Sequence, residues 1–161
     1  MSGENRIANV IFDHRTVLRR RDEVEHDRAI AIQALMEENF FAPADAPAGP
    51  YNLHLSIVEN RLVFRVCDEW DTQCTEFRLP LSSFRSVIKD YFTVCDSYYQ
   101  ALKTANQQRI EAIDMGRRGL HNEGSELLRA RIQPHADIDL DTARRIFTLI
   151  CTLHYEMRSR D

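Results

Sequence analysis

At 161 residues and 43% hydrophobic content, the chain is long enough to bury roughly two-thirds of its unfolded surface as one domain, without disulfides or metals. No apolar run reaches the roughly 20 residues needed to span a bilayer, so a membrane role is excluded. A formal net charge of −4 disfavours general attraction to nucleic acid or anionic lipid.

Residues Arg6 to Asp13 read as a short strand with Ala8, Val10 and Phe12 on one face and Ile7 and Ile11 on the other. Asp22-Glu23-Val24-Glu25 reads as a helix start, an Asp cap with an acidic residue three later. That helix runs to about Asn39 and buries Val24, Ala31, Ala34 and Leu35. From Phe41 to Pro50, three prolines among alanines make an extended connector too short to separate domains.

The clearest pattern follows. Tyr51, Leu53, Leu55 and Ile57 alternate with Asn52, His54 and Ser56, as in a half-buried strand. A two-residue turn at Glu59-Asn60 places Ile57 opposite Leu62, Leu55 opposite Phe64 and Leu53 opposite Val66. A second turn from Asp68 to Gln73 sets Cys67 against Cys74, Phe64 against Phe77 and Leu62 against Leu79. A slip of one residue would turn apolar side chains outward on every strand. The polar face of this meander carries His54, Arg65 and Glu76 in one row, a cross-strand ion-pair arrangement.

After Pro80, Ser82 or Ser83 caps a helix to about Ala105 with Phe84, Ile88, Phe92, Cys95, Tyr99 and Leu102 as its stripe. Asn106 punctuates. A second helix starts near Gln107, with Ile110, Ile113, Leu120, Leu127 and Leu128 as its spine. Gln133-Pro134-His135-Ala136 breaks it, and Asp139 or Asp141 caps a last helix to about Met157 with Ile146, Phe147, Ile150 and Leu153 inward. The fold class expected is α+β over residues 1–161 as a single domain: an antiparallel β-meander of three to four strands, the N-terminal strand added at its edge, covered on one face by about four helices.

Three of the chain's five glycines fall within the twelve residues Asp114 to Ser125. Glycine costs a helix interior roughly 1 kcal/mol relative to alanine, so Gly116, Gly119 and Gly124 imply a close approach, a break or a site. Asp114, Arg117, Arg118, His121, Asn122, Glu123 and Ser125 lie among them and are the candidate binding residues. On a helix, Asp114–Arg118, Arg118–Asn122, Arg117–His121 and His121–Ser125 are surface neighbours. Three readings follow: arginines paired with carboxylates where glycines permit a tight helix crossing, a binding surface for a partner or an anionic ligand, or a catalytic site. The catalytic form is loosely similar to the Arg–His pair of the HEPN ribonucleases, from which Arg117 and His121 depart in spacing.

Other features carry less. The acidity is uneven, with a net of −5 in residues 1–80 against +1 in residues 81–161, and nineteen of the 21 basic residues are arginine. Arginine suits bidentate carboxylate or phosphate contacts. Arg19-Arg20-Arg21 forms a basic patch offset by its acidic neighbours, and Glu25-His26-Asp27-Arg28 reads as an exposed charged helix face. His154 reads as a satisfied core histidine. The N-terminus lacks a secretory signal, so a cytoplasmic location is expected, with Cys67, Cys74, Cys95 and Cys151 reduced. Their spacings fit no zinc pattern, and no cofactor fingerprint is present; neither metal nor cofactor is expected.

Several blocks resemble a family of small bacterial proteins, chiefly alphaproteobacterial, classed as of unknown function. They include Val24-Glu25-His26 with Arg28, Glu37-Glu38-Asn39 before Phe41-Ala42-Pro43, Gly49-Pro50-Tyr51, and Arg61-Leu62-Val63-Phe64. Further on come Lys89-Asp90-Tyr91-Phe92, Ser97-Tyr98-Tyr99, the whole of Ile110 to Ser125, and Asp141-Thr142-Ala143-Arg144-Arg145. The resemblance implies a bacterial cytoplasmic protein and no particular activity. The function expected is a binding or regulatory module with a protein partner or self-association through the glycine-bearing helix 107–131, or with an anionic small molecule or RNA. The alternative is a hydrolase or ribonuclease-like enzyme acting on RNA or a phosphorylated metabolite through Arg117, Arg118 and His121.

Overall fold

A computed structural model describes residues 5–13 and 22–158, and only the backbone of Asp22, Glu23 and residues 155–158. The Arg19-Arg20-Arg21 patch and the Asp22 side-chain cap lie outside what is described. The chain runs β1 (Ile7–Phe12), α1 (Asp22–Glu37), β2 (Phe41–Pro43), β3 (Tyr51–Val58), β4 (Arg61–Cys67) and β5 (Gln73–Pro80). A 3-10 turn (Leu81–Ser83) then leads to α2 (Arg85–Thr104), α3 (Gln107–Ile132), β6 (Ala136–Ile138) and α4 (Leu140–Arg158).

Strands β3, β4 and β5 form the expected meander. Ile57 faces Leu62, Leu55 faces Phe64, Leu53 faces Val66, Phe64 faces Phe77 and Leu62 faces Leu79. Phe64 and Phe77 stack with ring centroids 4.7 Å apart, and His135 stacks on the far side of this pair against Phe77. Glu59 and Asn60 both have positive φ (52° and 62°), as a two-residue hairpin turn of the primed type requires. The strong apolar pairing on both strands offsets the roughly 1–2 kcal/mol that a left-handed Glu59 costs.

Three expectations about the strands are corrected. The sheet is mixed rather than purely antiparallel, in the order β1-β3-β4-β5, because β1 joins β3 in parallel. The intervening helix α1 makes β1-α1-β3 a crossover unit, and such a crossover returns the chain in the same direction. A bulge between Ile7 and Asn9 also resets the face of β1, so Ile7, Val10 and Phe12 align with Tyr51, Leu53 and Leu55 on the core side. Cys67 pairs with Gln73 instead of Cys74, since the ladder slips between Val66 and Cys67, and all four cysteines are free thiols. Within the extended connector after α1, Phe41–Pro43 pairs antiparallel with Ala136–Ile138, the segment that breaks α3 from α4.

One hydrophobic cluster joins the core face of the sheet to the helices, with Leu53, Phe64, Leu35, Ile88, Leu128 and Phe147 among its members; Val63 and Cys67, on the opposite sheet face, are not part of it. Asn39 fastens α1 to β1. It accepts from Ile7 N at 2.7 Å and donates to Ile7 O and Leu35 O. Helix α2 has no serine cap; Ser82 and Ser83 belong to the 3-10 turn, and Phe84 caps α2 without a side-chain bond. Its stripe is rotated from expectation, with Tyr91 buried and Leu102 exposed. Asn106 caps α3 by accepting from Arg109 N, and Asp139 caps α4 by accepting from Thr142 N. The Glu25–Arg28 run is not simply a solvated face: Arg28 is 9% exposed and donates to Thr152. Among the described residues no helix is long and apolar enough to cross a membrane.

The three glycines of α3 have different surroundings. A Cβ at Gly124 would overlap the Phe147 ring of α4, one at Gly116 would only touch Val94, and one at Gly119 would meet nothing. The tight-crossing reading therefore holds at Gly124 alone. Gly124→Ala is expected to destabilise the fold by about 1–3 kcal/mol through overpacking. Gly119→Ala should stabilise it by up to about 1 kcal/mol. Urea denaturation of both variants checks the contrast.

Candidate functional site

Helices α3 and α4 run antiparallel, and their crossing at Gly124 and Phe147 brings the polar half of α3 against the first turns of α4. His121 Nε2 lies 2.7 Å from Thr148 Oγ1, and Arg144 Nε donates to Asn122 Oδ1 at 3.1 Å. With α1 and α2 as further walls, these residues line a cleft of about 430 Å³. Its polar lining is Arg117, Arg118, His121, Asn122, Arg144, Arg145, Thr148 and Asp27; Ile30, Ala31 and Tyr91 give it an apolar side.

Of the seven candidate residues, four reach this cleft: Arg117, Arg118, His121 and Asn122. Asp114 stands behind them, accepting from Arg117 Nε at 3.1 Å and lying 3.0 Å from Arg118 Nε. The ion pairs thus run along α3 rather than across a helix interface. Ser125 is wholly buried and donates to the carbonyl of His121, while Glu123 is exposed and outside the cleft. Sequence periodicity missed Asp27, Tyr91, Arg144, Arg145 and Thr148, which come from three other helices. The one signal for them was the Arg144-Arg145 pair on the first turns of the last helix.

The arginines differ in how they are held. Arg117 sits with its guanidinium 4.6 Å from the centre of the Tyr98 ring, which ties α3 to α2. Arg144 also donates to Asp141 at 3.1 Å. Arg145 is exposed and makes no hydrogen bond or ion pair among the described residues. Asp27 accepts from the Tyr99 hydroxyl at 3.1 Å.

His121 is a poor proton carrier. Thr148 donates its hydroxyl to Arg144 O, so its oxygen is free to accept from His121 Nε2–H. That assignment turns Nδ1 towards buried Ser125, 3.5 Å away, and not into the cleft. The ring packs against Tyr91 and Phe147. Burial, reinforced by the charges of Arg117, Arg144 and Arg145, pulls its pKa down to about 4.

The polar sheet face holds a second constellation. His54, 5% exposed, has Nδ1 3.0 Å from Asp13 Oδ1 and Nε2 2.7 Å from Asp71 Oδ1. Arg65 donates to Asp13 Oδ2 at 3.0 Å and to Cys67 Sγ at 3.5 Å. Burial disfavours a charged His54, but its hydrogen bonds to Asp13 and Asp71 prevail and raise its pKa. Burial likewise opposes ionisation of Asp13, yet His54 and Arg65 hold its carboxyl below the usual range. The row of His54, Arg65 and Glu76 is present in register, with Arg65 Nη2 3.1 Å from His54 Nδ1, but Glu76 pairs with Arg78, and the acidic partners of His54 come from the end of β1 and the β4–β5 turn.

A family model described as an uncharacterised protein family, UPF0262, matches residues 4–156. The chain is 50% identical over 154 residues to a UPF0262 protein of Paramagnetospirillum magneticum, covering 96% of this chain and 98% of that one. It is 49% identical to a UPF0262 protein of Rhizobium meliloti, covering 93% and 94% of the two chains, and 50% identical to one of Rhodopseudomonas palustris, covering 95% and 94%. No solved structure matches the chain.

The depressed pKa of His121 has a signed consequence for stability. The unfolded chain takes up this proton near the ordinary pKa of about 6.5, the folded one only near 4. The contribution is therefore whole above about pH 6.5 and is lost as pH falls towards 4, by up to about 3 kcal/mol. His121→Gln should flatten the fall in stability over that window relative to the wild type, read from urea midpoints at pH 7, 6, 5 and 4. An unchanged slope would show that the fold does not lower the pKa of His121.

Proposed function

The chain belongs to the uncharacterised family UPF0262, and we propose that it is a cytoplasmic binding module whose helical cleft takes a small phosphate-bearing anion. The observation that carries this reading is the convergence of Arg117, Arg118, Arg144 and Arg145 on one cleft of about 430 Å³, within the usual range for small-molecule sites. Asp114, Asp141, Asn122 and Tyr98 fix three of these guanidinium groups in place before any ligand arrives. Such fixing lowers the ordering cost of binding. Arg145, which makes no hydrogen bond or ion pair among the described residues, supplies a further charge at the mouth of the cleft. A chain of net charge −4 that assembles arginines from two helices at one place concentrates its attraction for anions there.

Two features favour a ligand over self-association through α3. Gly124, the glycine with a close contact, is occupied by Phe147 of the same chain. The apolar side of the cleft, at Ile30 and Tyr91, also gives a ligand something besides charge to rest on. The RNA-cleaving alternative is weaker, since a general acid–base group needs a pKa near the working pH and His121 sits near 4.

Titration calorimetry with inorganic pyrophosphate at constant ionic strength tests the proposal. Wild-type protein should bind it, with acetate giving no comparable heat. Arg145→Ala should keep the fold and weaken binding about 10-fold or more, the loss of one charge-assisted contact. Failure to bind pyrophosphate, or equal binding by Arg145→Ala, would contradict it. Incubation with total cellular RNA settles the alternative: cleavage that disappears in His121→Ala would replace the binding reading.

A further inference from the structure

We propose that His54, Cys67 and Asp71 bind a divalent transition metal of zinc's class on the sheet face away from the helices, with Asp13 orienting the imidazole. None of these residues lines the arginine cleft. One ligand atom from each of His54, Cys67 and Asp71 lies within 4.8 Å of the others. Zinc bonds of about 2.0–2.3 Å at tetrahedral angles put ligand atoms roughly 3.2–3.8 Å apart. Closing on a metal therefore takes adjustments of about 1 Å: His54 Nε2 and Asp71 Oδ1, 2.7 Å apart, must open slightly to admit the ion, and Asp71, 51% exposed on the β4–β5 turn, is the most accessible member of the set. Imidazole, thiolate and carboxylate are the donors zinc takes, and three protein ligands leave a fourth position open. Asp71 places that position towards solvent.

The surroundings match what a metal-bound histidine needs. Its Nε2 faces Asp71, while Nδ1 is 3.0 Å from the Asp13 carboxylate. A ligating histidine characteristically donates its other ring N–H to such a carboxylate, which fixes tautomer and orientation. Arg65 bridges Asp13 Oδ2 and Cys67 Sγ and also lies 3.1 Å from His54 Nδ1, so its contact with the ring is on the Nδ1 side, away from Nε2.

Charge also balances. With an imidazolium and a thiol, the two carboxylates offset His54 and Arg65, and the cluster is neutral. Entry of the divalent ion expels one proton from the imidazolium and one from the thiol, leaving a neutral ring, a thiolate and a cluster that is again neutral. The net charge of the cluster is unchanged by the exchange, and the new thiolate is paired directly with the metal, as a buried charge requires. The chain spacing of these residues conceals the site, because β3, β4 and the turn after β4 each bring one ligand.

The full chain, stripped with a chelator and titrated with zinc or cobalt(II) alone, tests this. One equivalent should bind, and cobalt should show the near-ultraviolet sulfur-to-metal charge-transfer band of a thiolate ligand. Cys67→Ser should abolish the band and weaken zinc binding by well over the ~10-fold that loss of an outer-shell partner costs. Asp71→Asn, on an exposed turn, should weaken zinc binding at least ~10-fold and keep the band. Cys74→Ser should change neither. Should Cys67→Ser fail to fold, the wild-type band and Asp71→Asn decide. Absence of stoichiometric binding, a wild-type cobalt complex without the band, or zinc affinity unchanged in Asp71→Asn would overturn the site.

Discussion

The packing of Phe147 onto Gly124 is the contact on which the helical half of the molecule depends. A wholly buried ring on α4 lies where any larger residue on α3 would place its Cβ, so the two helices are close-packed at this point. Below it, Leu128 and Ile132 continue the core. Above it, antiparallel geometry carries His121 to Thr148 and Asn122 to Arg144. A displacement of one helical turn, about 5.4 Å, would separate the arginines of α3 from those of α4. The cleft thus follows from packing in the core, and Asp114, Asp141 and Tyr98 contact the arginines that line it.

The sheet imposes a second, independent constraint. Its alternation sends Leu53, Leu55, Phe64 and Phe77 into the core and His54, Arg65 and Cys67 to the other face. A buried histidine there needs hydrogen-bond partners for its nitrogens, and Asp13 and Asp71 provide them. The two partners come from segments far apart in the chain. The end of β1 and the β4–β5 turn are consequently tied to the middle of β3. The same arrangement that satisfies the imidazole also groups His54, Cys67 and Asp71, three side chains of types that can ligate a metal.

Much of this was legible in the sequence, and the reasons for the rest are physical. The meander registers followed from alternation, because a period of two leaves one pairing that keeps Leu55, Phe64 and Phe77 on the same side. The break at Asn106 was likewise visible as local chemistry, and Asp139 was one of two candidate caps for the last helix. The direction of β1 was not, since a six-residue strand carries no sign of whether its neighbour runs parallel. The bulge at Ala8 and the slip after Val66 also escaped, because a single extra residue reverses a face without altering composition. In the site, the residues sharing α3 were found together by their spacing. Asp27, Tyr91, Arg145 and Thr148 were not, as no periodicity relates residues on different helices. Gly124 could not be distinguished from Gly119 until its neighbour across the interface was known.

The central claim is that Gly124 and Phe147 together set the α3–α4 crossing from which the cleft follows. A double-mutant cycle on folding stability, combining Gly124→Ala with Phe147→Leu, measures that most directly. Removing the ring should relieve much of the strain that the added methyl creates, giving a coupling of about 1–3 kcal/mol. Additivity of the two substitutions within about 0.5 kcal/mol would mean that the residues do not meet, and would contradict the claim.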